Sequence, residues 1–401
     1  MSATIAALLF WTCLSIIVWV YFGYPLALKI GLIGRREQFE RGDSAPSISV
    51  IIPAHNEESG IEAKLRNLLT LDYPREQVEI LVGSDGSSDR TQEIVERFVG
   101  EAVGLLSFPQ QQGKSAIQNG LVAVASGSIL VFTDADCLLP PDAFRRLMQN
   151  FADARVGLVT ARPKYTSARD TATAQNEGLY LRYETWLRKQ ESHRGLLAMA
   201  SGSLFAMRRS LWRPLEWNLG DDFVLPLRIA RAAMRNVFDE RVAASTNLSQ
   251  NDPQGMLRLK VRVISKDFRA LLANRALLNP FRYGAAAIGL WSHKLLRWFV
   301  PYLLLALLAT NLLLLDARFF QIALALQAAF YALAAAGLAL RGRLRGFLWS
   351  VPMSFCVVNC AALLGTLKCL SGRTSGAWTP ERTPRSSQAT PKRLHLPADS
   401  P

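Results

Sequence analysis

Long apolar stretches constrain this 401-residue chain more than any other feature of its sequence. The first, from Thr4 to Leu28, is long enough to cross a bilayer core of about 30 Å at 1.5 Å per helical residue. Three further spans are predicted at Trp298–Leu315, Phe319–Leu340 and Gly346–Leu370. No Lys or Arg precedes Lys29, so the first stretch lacks the positive start of a signal peptide and is predicted to be an uncleaved anchor.

Changes in composition between these stretches predict the organisation of the chain. Residues 1–41 form the anchor and a basic linker, 42–279 a cytoplasmic domain, 280–297 a helix in the membrane interface, 298–370 the later spans, and 371–401 a disordered tail. Only 19% of residues are charged, which is below the share of about a quarter in soluble proteins. The expected location is therefore the plasma (inner) membrane, crossed several times.

The formal net charge of +14 is explained by basic residues beside the apolar spans. Such residues mark cytoplasmic loops, whereas a nucleic-acid-binding protein would carry a basic stripe interleaved with aromatic residues. Nucleic acid is therefore not expected as a partner. The side of the tail stays open: one span before the domain and three after it place the tail outside the cytoplasm, whereas its basic residues favour the inside. These residues are Arg373, Arg382, Arg385, Lys392 and Arg393.

Between the anchor and the later spans, β-branched runs alternate with amphipathic stretches, which is typical of an α/β domain. The predicted strands are Ile48–Ile52, Val78–Val82, Leu105–Phe108 and Ile129–Thr133, and the predicted helices are Glu57–Leu69, Thr91–Phe98 and Lys114–Val124. This alternation predicts a mostly parallel sheet flanked by helices. In such sheets ligands bind at the carboxyl ends of the strands, and the polar motifs of this chain fall there.

The strongest site signal is the pair Asp134 and Asp136, which directly follows an apolar strand. Two carboxylates at this spacing can hold a Mg²⁺ or Mn²⁺ ion whose other ligands are substrate phosphates, although a solvated turn is the alternative for an isolated pair. Asp85 follows another strand in a Gly- and Ser-rich turn, where it can accept hydrogen bonds from a nucleotide. Asp89 is predicted to cap the helix that comes next.

Further charged residues lie in short polar motifs of the same region. Glu57 follows the first strand, and a stabilising place in the first turn of a helix is the alternative to ligand contact. Lys114 begins a predicted helix and is a candidate to neutralise a diphosphate, with a surface lysine as the alternative. Asp221 and Asp222 form a second acidic pair, in which one carboxylate suits the base for an acceptor hydroxyl and a helix cap is the alternative.

These motifs, in this order, resemble those of the family 2 glycosyltransferases, in the branch of membrane polysaccharide synthases related to cellulose, hyaluronan and chitin-oligosaccharide synthases. The resemblance extends from about Ser47 to Arg262 and includes the flanking spans. It implies a nucleotide-sugar-binding GT-A type fold, with one N-terminal and about three C-terminal transmembrane helices. It also implies an inverting, metal-dependent transfer of a hexosyl or N-acetylhexosaminyl group from a nucleotide sugar, with a UDP-sugar as the expected donor.

The resemblance implies roles for individual residues as well. Asp222 is the implied catalytic base, and Asp134 and Asp136 are the implied metal ligands. The implied donor-binding residues are Ala54, Glu57, Asp85, Lys114, Asp134 and Arg262. The implied acceptor-site residues are Gly202, Ser203 and Asp221.

One departure from the family pattern bears on the product. Processive members carry Gln-x-x-Arg-Trp, whereas this chain runs from Leu259 to Val263 with Arg262 retained but without the Gln and Trp. Polymerisation and the addition of one or a few sugars therefore both stay open, with a polysaccharide, an oligosaccharide or a lipid-linked acceptor. Membrane lipids and a secretion partner are the other expected partners. The alternative function is a membrane nucleotide-sugar sensor or secretion subunit without transferase activity.

Overall fold

The structure is a computed structural model that describes residues 2–100, 102–166, 172–216, 219–247, 253–340, 346–372 and 394–395. The chain divides into two compact units. The sheet unit consists of residues 37–166, 192–248 and 375–401, and the helical unit of residues 1–36, 167–191 and 249–374. The helical unit thus includes two segments that fall inside the predicted domain 42–279.

The sheet unit is built on one mixed sheet whose strands come mainly from β-branched and apolar runs. In the described residues the strands are β1 (Ile48–Ala54), β2 (Val78–Asp85), β3 (Val103–Phe108), β4 (Ile129–Thr133), β5 (Cys137–Leu138), β6 (Val156–Thr166), β7 (Leu204–Arg208), β8 (Arg235–Asn247) and β9 (Leu394–His395). Their order across the sheet is β5-β8-β6-β7-β4-β1-β2-β3-β9. The four predicted strands are confirmed as β1 to β4.

Strands β1 to β4 form a parallel block. β1 pairs with β2 from Ile48 and Val78, and with β4 from Ile48 and Ile129, while β2 pairs with β3 from Ile80 and Val103. Every residue of β1 and β4 is buried, as expected for parallel strands that are covered on both faces. The carboxyl ends of these strands therefore lie at one common edge of the sheet.

Helices alternate with the strands and continue through the helical unit. In chain order they are α1 (Ala3–Val18), α2 (Tyr24–Lys29), α3 (Ile61–Leu69), α4 (Thr91–Glu96), α5 (Lys114–Val124), α6 (Ala143–Gln149), α7 (Ala172–His193), α8 (Asp221–Arg231), α9 (Pro253–Ala273), α10 (Pro280–Leu290), α11 (Leu296–Leu312), α12 (Arg318–Ala339) and α13 (Phe347–Leu370). α5 has its predicted bounds. α3 begins later than predicted, because Asn56 adopts a left-handed conformation (φ 56°) and the Glu57 carbonyl accepts hydrogen bonds from Gly60 and Ile61 in a turn.

Within the described residues, the helical unit contains four helical stretches that are long and apolar enough to cross a membrane: Ala3–Lys29, Pro280–Leu312, Arg318–Ala339 and Phe347–Leu370. They confirm one predicted span early in the chain and three late in it. Pro280–Leu312 joins the predicted interfacial helix to the next span, with non-helical backbone at Gly284 (φ 52°) and a π-helical turn at Trp291–Leu295. Apolar side chains such as Phe22 and Leu326 are exposed on these stretches, as lipid-facing residues would be.

A cluster of buried charges lies within the helical unit. α7 supplies the carboxylates of Glu184 and Glu191, and both ring nitrogens of His293 face them, with Nδ1 2.8 Å from Glu191 and Nε2 3.2 Å from Glu184. Arg297 donates to Glu184, and the hydroxyl of Tyr24 donates to Glu191 over 2.8 Å. Buried charges are stable only when they are paired. This cluster therefore fixes α7 to the start of α2 and to the chain around α11.

The far edge of the sheet is covered by a short strand from the end of the chain. β9 pairs antiparallel with β3, with Leu394 opposite Leu106 and His395 opposite Leu105. An uncovered edge strand is a template for unwanted pairing, and two added residues shorten the free edge. Most of the predicted disordered tail, residues 371–401, lies outside the described residues.

Candidate active site

The carboxyl edge of the parallel block carries the acidic residues that the sequence singled out. Glu57 follows β1, Asp85 is the last residue of β2, and Asp134 directly follows β4. Asp222 lies in the first turn of α8, which also belongs to the sheet unit. Carboxylates from separate parts of the chain therefore share one edge of the sheet.

Asp85 is fully buried, and its carboxylate holds the loop that precedes α5. The backbone N–H groups of Gln112 and Gly113 donate to its two oxygens over 2.5 and 2.9 Å. Burial raises the pKa of the Asp85 carboxyl, and these two hydrogen bonds oppose that rise. The residue after Asp85 is Gly86 (φ 61°), whose backbone lies close to this loop. A Cβ on Gly86 would lie 2.8 Å from the backbone nitrogen of Gln111. Asp85 thus joins the end of β2 to the start of α5.

Asp89, the predicted cap of α4, lies one residue before the N-cap position, which Arg90 occupies. Its carboxylate accepts hydrogen bonds from the backbone N–H of Thr91, the first residue of α4, and from that of Glu58. These bonds lower the pKa of the Asp89 carboxyl although burial alone would raise it. Asp89 therefore ties α4 to the segment after β1.

Lys114 bridges two carboxylates at the start of α5. Its Nζ lies 3.0 Å from Asp134 Oδ1 and 3.3 Å from Asp221 Oδ2, and Gln118 donates to the same Asp221 oxygen over 2.7 Å. Burial lowers the pKa of the Lys114 ammonium, but the two carboxylates outweigh it and the net shift is upward. Burial likewise disfavours the charged form of Asp221, whose pKa is nevertheless lowered by Lys114. The carboxylate of Asp221 contacts these two side chains and does not cap α8, whose N-cap residue is Gly220.

Gly202 has no side chain, which leaves a gap beside the carboxylates of Asp222 and Asp134. A Cβ built on Gly202 would lie 3.7 Å from Asp222 Oδ2 and 4.0 Å from Asp134 Oδ2. The loop is held in place because the N–H of Ala200 donates to the backbone carbonyl of Asp222 over 2.7 Å. The hydroxyl of Ser203, also predicted for the acceptor site, lies 2.8 Å from that of Ser201. The predicted base, a predicted donor carboxylate and the predicted acceptor loop therefore meet in one place.

The residues around Asp134 and Asp136 suit a divalent cation that is completed by a substrate. Burial, together with the nearby Asp136 and Asp134 carboxylates, raises the pKa of Glu57 to about 7. Burial and then Asp134 also raise the pKa of Asp136. Crowded carboxylates of this kind are stabilised by a cation. In the described part of the chain no three His, Cys, Asp or Glu side chains form a ready ligand set. One or two carboxylates with phosphate oxygens are what Mg²⁺ uses in nucleotide sites.

Two other predicted donor-binding residues occupy different units. Ala54 is the buried last residue of β1, at the same edge as the carboxylates. Arg262 lies on α9 in the helical unit, where α9 packs closely on α13: a Cβ on Gly365 would lie 3.0 Å from Ile264. Arg262 therefore stays a prediction, whereas Ala54 lies on the strand that also leads to Glu57.

Lys64 and Gln118 are site residues that the sequence interpretation missed. Gln118 lies one turn after Lys114 on α5 and holds Asp221. Lys64 is a fully buried lysine on α3, and its Nζ donates to Thr133 Oγ1 over 2.8 Å. A signal for Lys64 was present, because a lysine occupies an inward position of the apolar stripe of α3.

Comparison with known proteins agrees with this geometry. Residues 49–214 match the family model described as Glycosyl transferase family 2. The chain is 28% identical over 203 residues to a β-monoglucosyldiacylglycerol synthase from Trichormus variabilis, covering 49% of this chain and 43% of that protein. It is 30% identical over 244 residues to the probable glycosyltransferase YdaM from Bacillus subtilis, covering 55% and 57%. The chain thus spans about half the length of the curated relatives it matches.

Among solved structures, the chain is similar to the mannosyltransferase PcManGT from Pyrobaculum calidifontis in complex with GDP-Man and Mn²⁺. The TM-score is 0.68 at 22% identity, and the match covers 91% of this chain and 99% of the other. At this identity the likeness establishes the fold. It confirms the predicted GT-A type fold, with a mostly parallel sheet flanked by helices and accompanied by long apolar helices.

Proposed function

We propose that this chain, whose residues 49–214 match the model of glycosyl transferase family 2, transfers a hexosyl or N-acetylhexosaminyl group from a nucleotide sugar to a hydroxyl acceptor at a membrane. The proposed transfer inverts the anomeric centre. The proposed site faces the cytoplasm, in keeping with the basic residues after the first span.

The observation that carries this proposal is the gap beside Gly202, between Asp222 and Asp134. The two carboxylate oxygens lie within 3.7 and 4.0 Å of the same point. Both carboxylates therefore border the same small space, and Lys114 provides a cation to Asp134. We propose that Asp222 faces the acceptor in this space, as a base for a hydroxyl requires.

The proposed reaction is one displacement. The acceptor O–H proton passes to the Asp222 carboxylate, the acceptor oxygen bonds to the anomeric carbon, and the anomeric C–O bond to the diphosphate breaks. The electron pair of that bond leaves with the nucleoside diphosphate. Lys114 lies close enough to Asp134 to compensate part of the charge at this end of the sheet. A Mg²⁺ or Mn²⁺ ion on Asp134 and Asp136 would supply Lewis-acid stabilisation of the leaving diphosphate.

The donor nucleotide is proposed to lie over the carboxyl ends of β1 and β2. Ala54 is small and buried at the end of β1, and Asp85 holds the Gln112–Gly113 backbone that leads into Lys114. Glu57 lies close enough to Asp136 and Asp134 for their charges to raise its pKa. We propose Arg262 as a further donor contact, on the resemblance of its motif.

The acceptor is proposed to be a membrane-resident hydroxyl compound. One relative is named for a glucosylated diacylglycerol, which supports a lipid acceptor. The incomplete motif around Arg262 supports addition of one or a few sugars, and a growing glycan stays the second candidate. Gly202 and Ser203 would contact this acceptor. Asp221 would contribute indirectly, because its carboxylate holds the Lys114 ammonium in place.

The test uses the full-length protein in detergent or nanodiscs with a panel of UDP-, GDP- and dTDP-sugars and either Mg²⁺ or Mn²⁺. Release of a nucleoside diphosphate identifies the donor, and radiolabelled sugar recovered in a lipid extract or in a precipitated glycan identifies the acceptor class. We expect metal-dependent release that EDTA abolishes. The absence of release with every donor, from protein that binds a nucleotide sugar, would favour the sensor function.

Asp222→Asn is the decisive variant, because the amide keeps the shape of the side chain but cannot accept the proton. Transfer should fall by about 100-fold or more while donor binding persists. The matched control is Asp72→Asn on the exposed loop after α3, where the carboxylate pairs with Arg145 at the surface. Wild-type transfer by Asp222→Asn would exclude this residue as the base.

A further inference from the structure

Lys64 is a buried cation that the proposed reaction does not use. The inward face of α3 consists of Ile61, Lys64, Leu65 and Leu68, at the spacing of successive helical turns. The Lys64 side chain is 0% exposed. A lysine among apolar neighbours costs free energy unless its ammonium has partners. Its placement therefore indicates a hydrogen-bonding role that a leucine at the same position could not fill.

Two hydrogen-bond partners of Lys64 lie on either side of the acidic turn. Its Nζ donates to Thr133 Oγ1 over 2.8 Å and to the backbone carbonyl of Cys137 over 2.5 Å. Thr133 directly precedes Asp134, and Cys137 directly follows Asp136. One ammonium thus joins both ends of the turn that presents the proposed metal ligands.

The same contact extends to the proposed acceptor loop. The Thr133 hydroxyl accepts from Lys64 and donates to the backbone carbonyl of Ser203 over 2.9 Å. Ser203 is the neighbour of Gly202, which lies beside the gap between the carboxylates. Lys64, Thr133 and Ser203 therefore form a continuous hydrogen-bonded path beneath the site.

The charge of Lys64 does not explain its place by attraction of a metal. A buried cation near the acidic pair repels a divalent ion, so the charge alone would weaken metal binding. Burial lowers the pKa of Lys64 to about 8, and nearby Cys137, Asp134 and Asp136 oppose that change. The ammonium is thus retained at neutral pH, and its hydrogen bonds hold the backbone of the turn in one conformation.

We infer that Lys64 is a positioning residue: by bridging Thr133 and Cys137 it holds Asp134 and Asp136 in the arrangement that receives the divalent metal. The inference rests on the proposed function, because that function assigns the metal to this pair. Outer-shell partners that orient metal ligands commonly change metal affinity by about 10- to 100-fold when they are removed.

The test is Lys64→Met in the full-length protein, with Mn²⁺ alone as the probe and free Mn²⁺ measured by electron paramagnetic resonance. Methionine fills a similar volume without charge or N–H groups. We expect Mn²⁺ affinity to fall by about 10- to 100-fold. Since removal of a positive charge would by itself tighten Mn²⁺ binding, a weaker affinity identifies loss of geometry. Amide hydrogen exchange in the peptide that spans residues 133–139 should rise in parallel.

Asn67→Leu is the matched control on the same helix. The Asn67 side chain bonds both the N–H and the carbonyl of Leu139, over 2.8 and 3.0 Å, so it fixes the backbone beyond the acidic turn. Its loss should lower thermal stability with Mn²⁺ affinity retained. If Lys64 served stability alone, both variants would lower the melting temperature and neither would change Mn²⁺ affinity.

Thr133 provides a second route if Lys64→Met does not fold. Thr133→Val removes the hydroxyl partner of Lys64 and should weaken Mn²⁺ binding, whereas Thr133→Ser keeps the hydroxyl and should restore it. Unchanged or tighter Mn²⁺ binding by folded Lys64→Met or Thr133→Val would overturn the inference about Lys64. That result would not contradict the proposed sugar transfer. A wild-type protein that transfers sugar without binding Mn²⁺ would refute the metal assignment and this inference together.

Discussion

Gly202→Ala offers a direct test of where the acceptor binds. The added methyl would lie 3.7 Å from Asp222 Oδ2 and 4.0 Å from Asp134 Oδ2, which are ordinary contact distances. No main-chain strain is expected, because Gly202 is not among the glycines with positive φ. The folded protein should therefore tolerate the change, and stability should rise by about 0.4–1 kcal/mol or stay constant.

The same methyl should nevertheless exclude the acceptor hydroxyl. A hydroxyl that gives its proton to Asp222 must lie about 2.6–3.2 Å from the carboxylate oxygen, and it cannot approach a carbon more closely than about 3.5 Å. The methyl would compete with the hydroxyl for the space beside Asp222, and we expect a displacement of about 1 Å. A displacement of this size costs about 100-fold in rate, which corresponds to about 2.7 kcal/mol in the barrier.

The assay is steady-state release of nucleoside diphosphate at saturating donor, with the melting temperature measured on the same sample. The turnover number should fall about 100-fold while the donor KM changes little. Gly60→Ala is the control for an added methyl beside the acidic turn, because its Cβ would lie 3.9 Å from the carbonyl oxygen of Ala135 and from Cα of Asp136 and touches neither the Asp222 nor the Asp134 carboxylate. Full turnover by stable Gly202→Ala would show that the acceptor does not enter between Asp222 and Asp134. A change confined to the donor KM would instead place the donor there.

Three further perturbations probe the charges. Lys114→Met removes the cation shared by two carboxylates and should weaken donor binding by at least about 10-fold; an unchanged donor KM would separate Lys114 from the donor. Glu57→Gln should raise the melting temperature of EDTA-treated protein at pH 8 but not at pH 5. The pKa of Glu57 is about 7 in the folded protein and about 4.5 in the unfolded chain, so the wild-type protein loses stability as the pH rises from about 4.5 to 7. The glutamine cannot ionise and avoids this loss. Equal shifts at both pH values would contradict this cause. Glu184→Gln should destabilise the helical unit by roughly 3–5 kcal/mol, lowering the melting temperature in detergent, whereas surface Glu62→Gln should not.

Local patterns were sufficient for the first half of the sheet and not for the second. β1 and β4 are short, continuous apolar runs, a pattern that is typical of buried parallel strands. β8 begins with Arg235 and Asn236 and also contains Asp239 and Arg241, a composition that does not predict a strand. Arg235 and Asp239 are buried because partners distant in sequence satisfy them: Arg235 pairs with Glu37, and Asp239 accepts from Asn150, with Arg241 as a second, local donor.

The site shows the same division between local and long-range information. The positions of Asp85 and Asp134 followed from strands whose ends were visible in the sequence. Their partners were not visible, since the contact of Lys114 with Asp221 joins residues more than a hundred positions apart. Lys64 escaped notice because polar motifs were sought at strand ends, whereas this lysine stands in the middle of an apolar helix face. An ionisable residue in an amphipathic stripe is therefore a useful signal in its own right.

The buried charge cluster of the helical unit also has a consequence for synthesis of the protein. Tyr24 leaves the ribosome first, Glu184 and Glu191 follow, and His293 and Arg297 appear about a hundred residues later. At 5–20 residues per second the two carboxylates wait on the order of 5–20 s for their basic partners. A fragment that stops before His293 would lack the basic partners that His293 and Arg297 provide to these acids. Expression of the catalytic part alone should therefore yield aggregated material, unless α7 is redesigned or the later helices are supplied in trans.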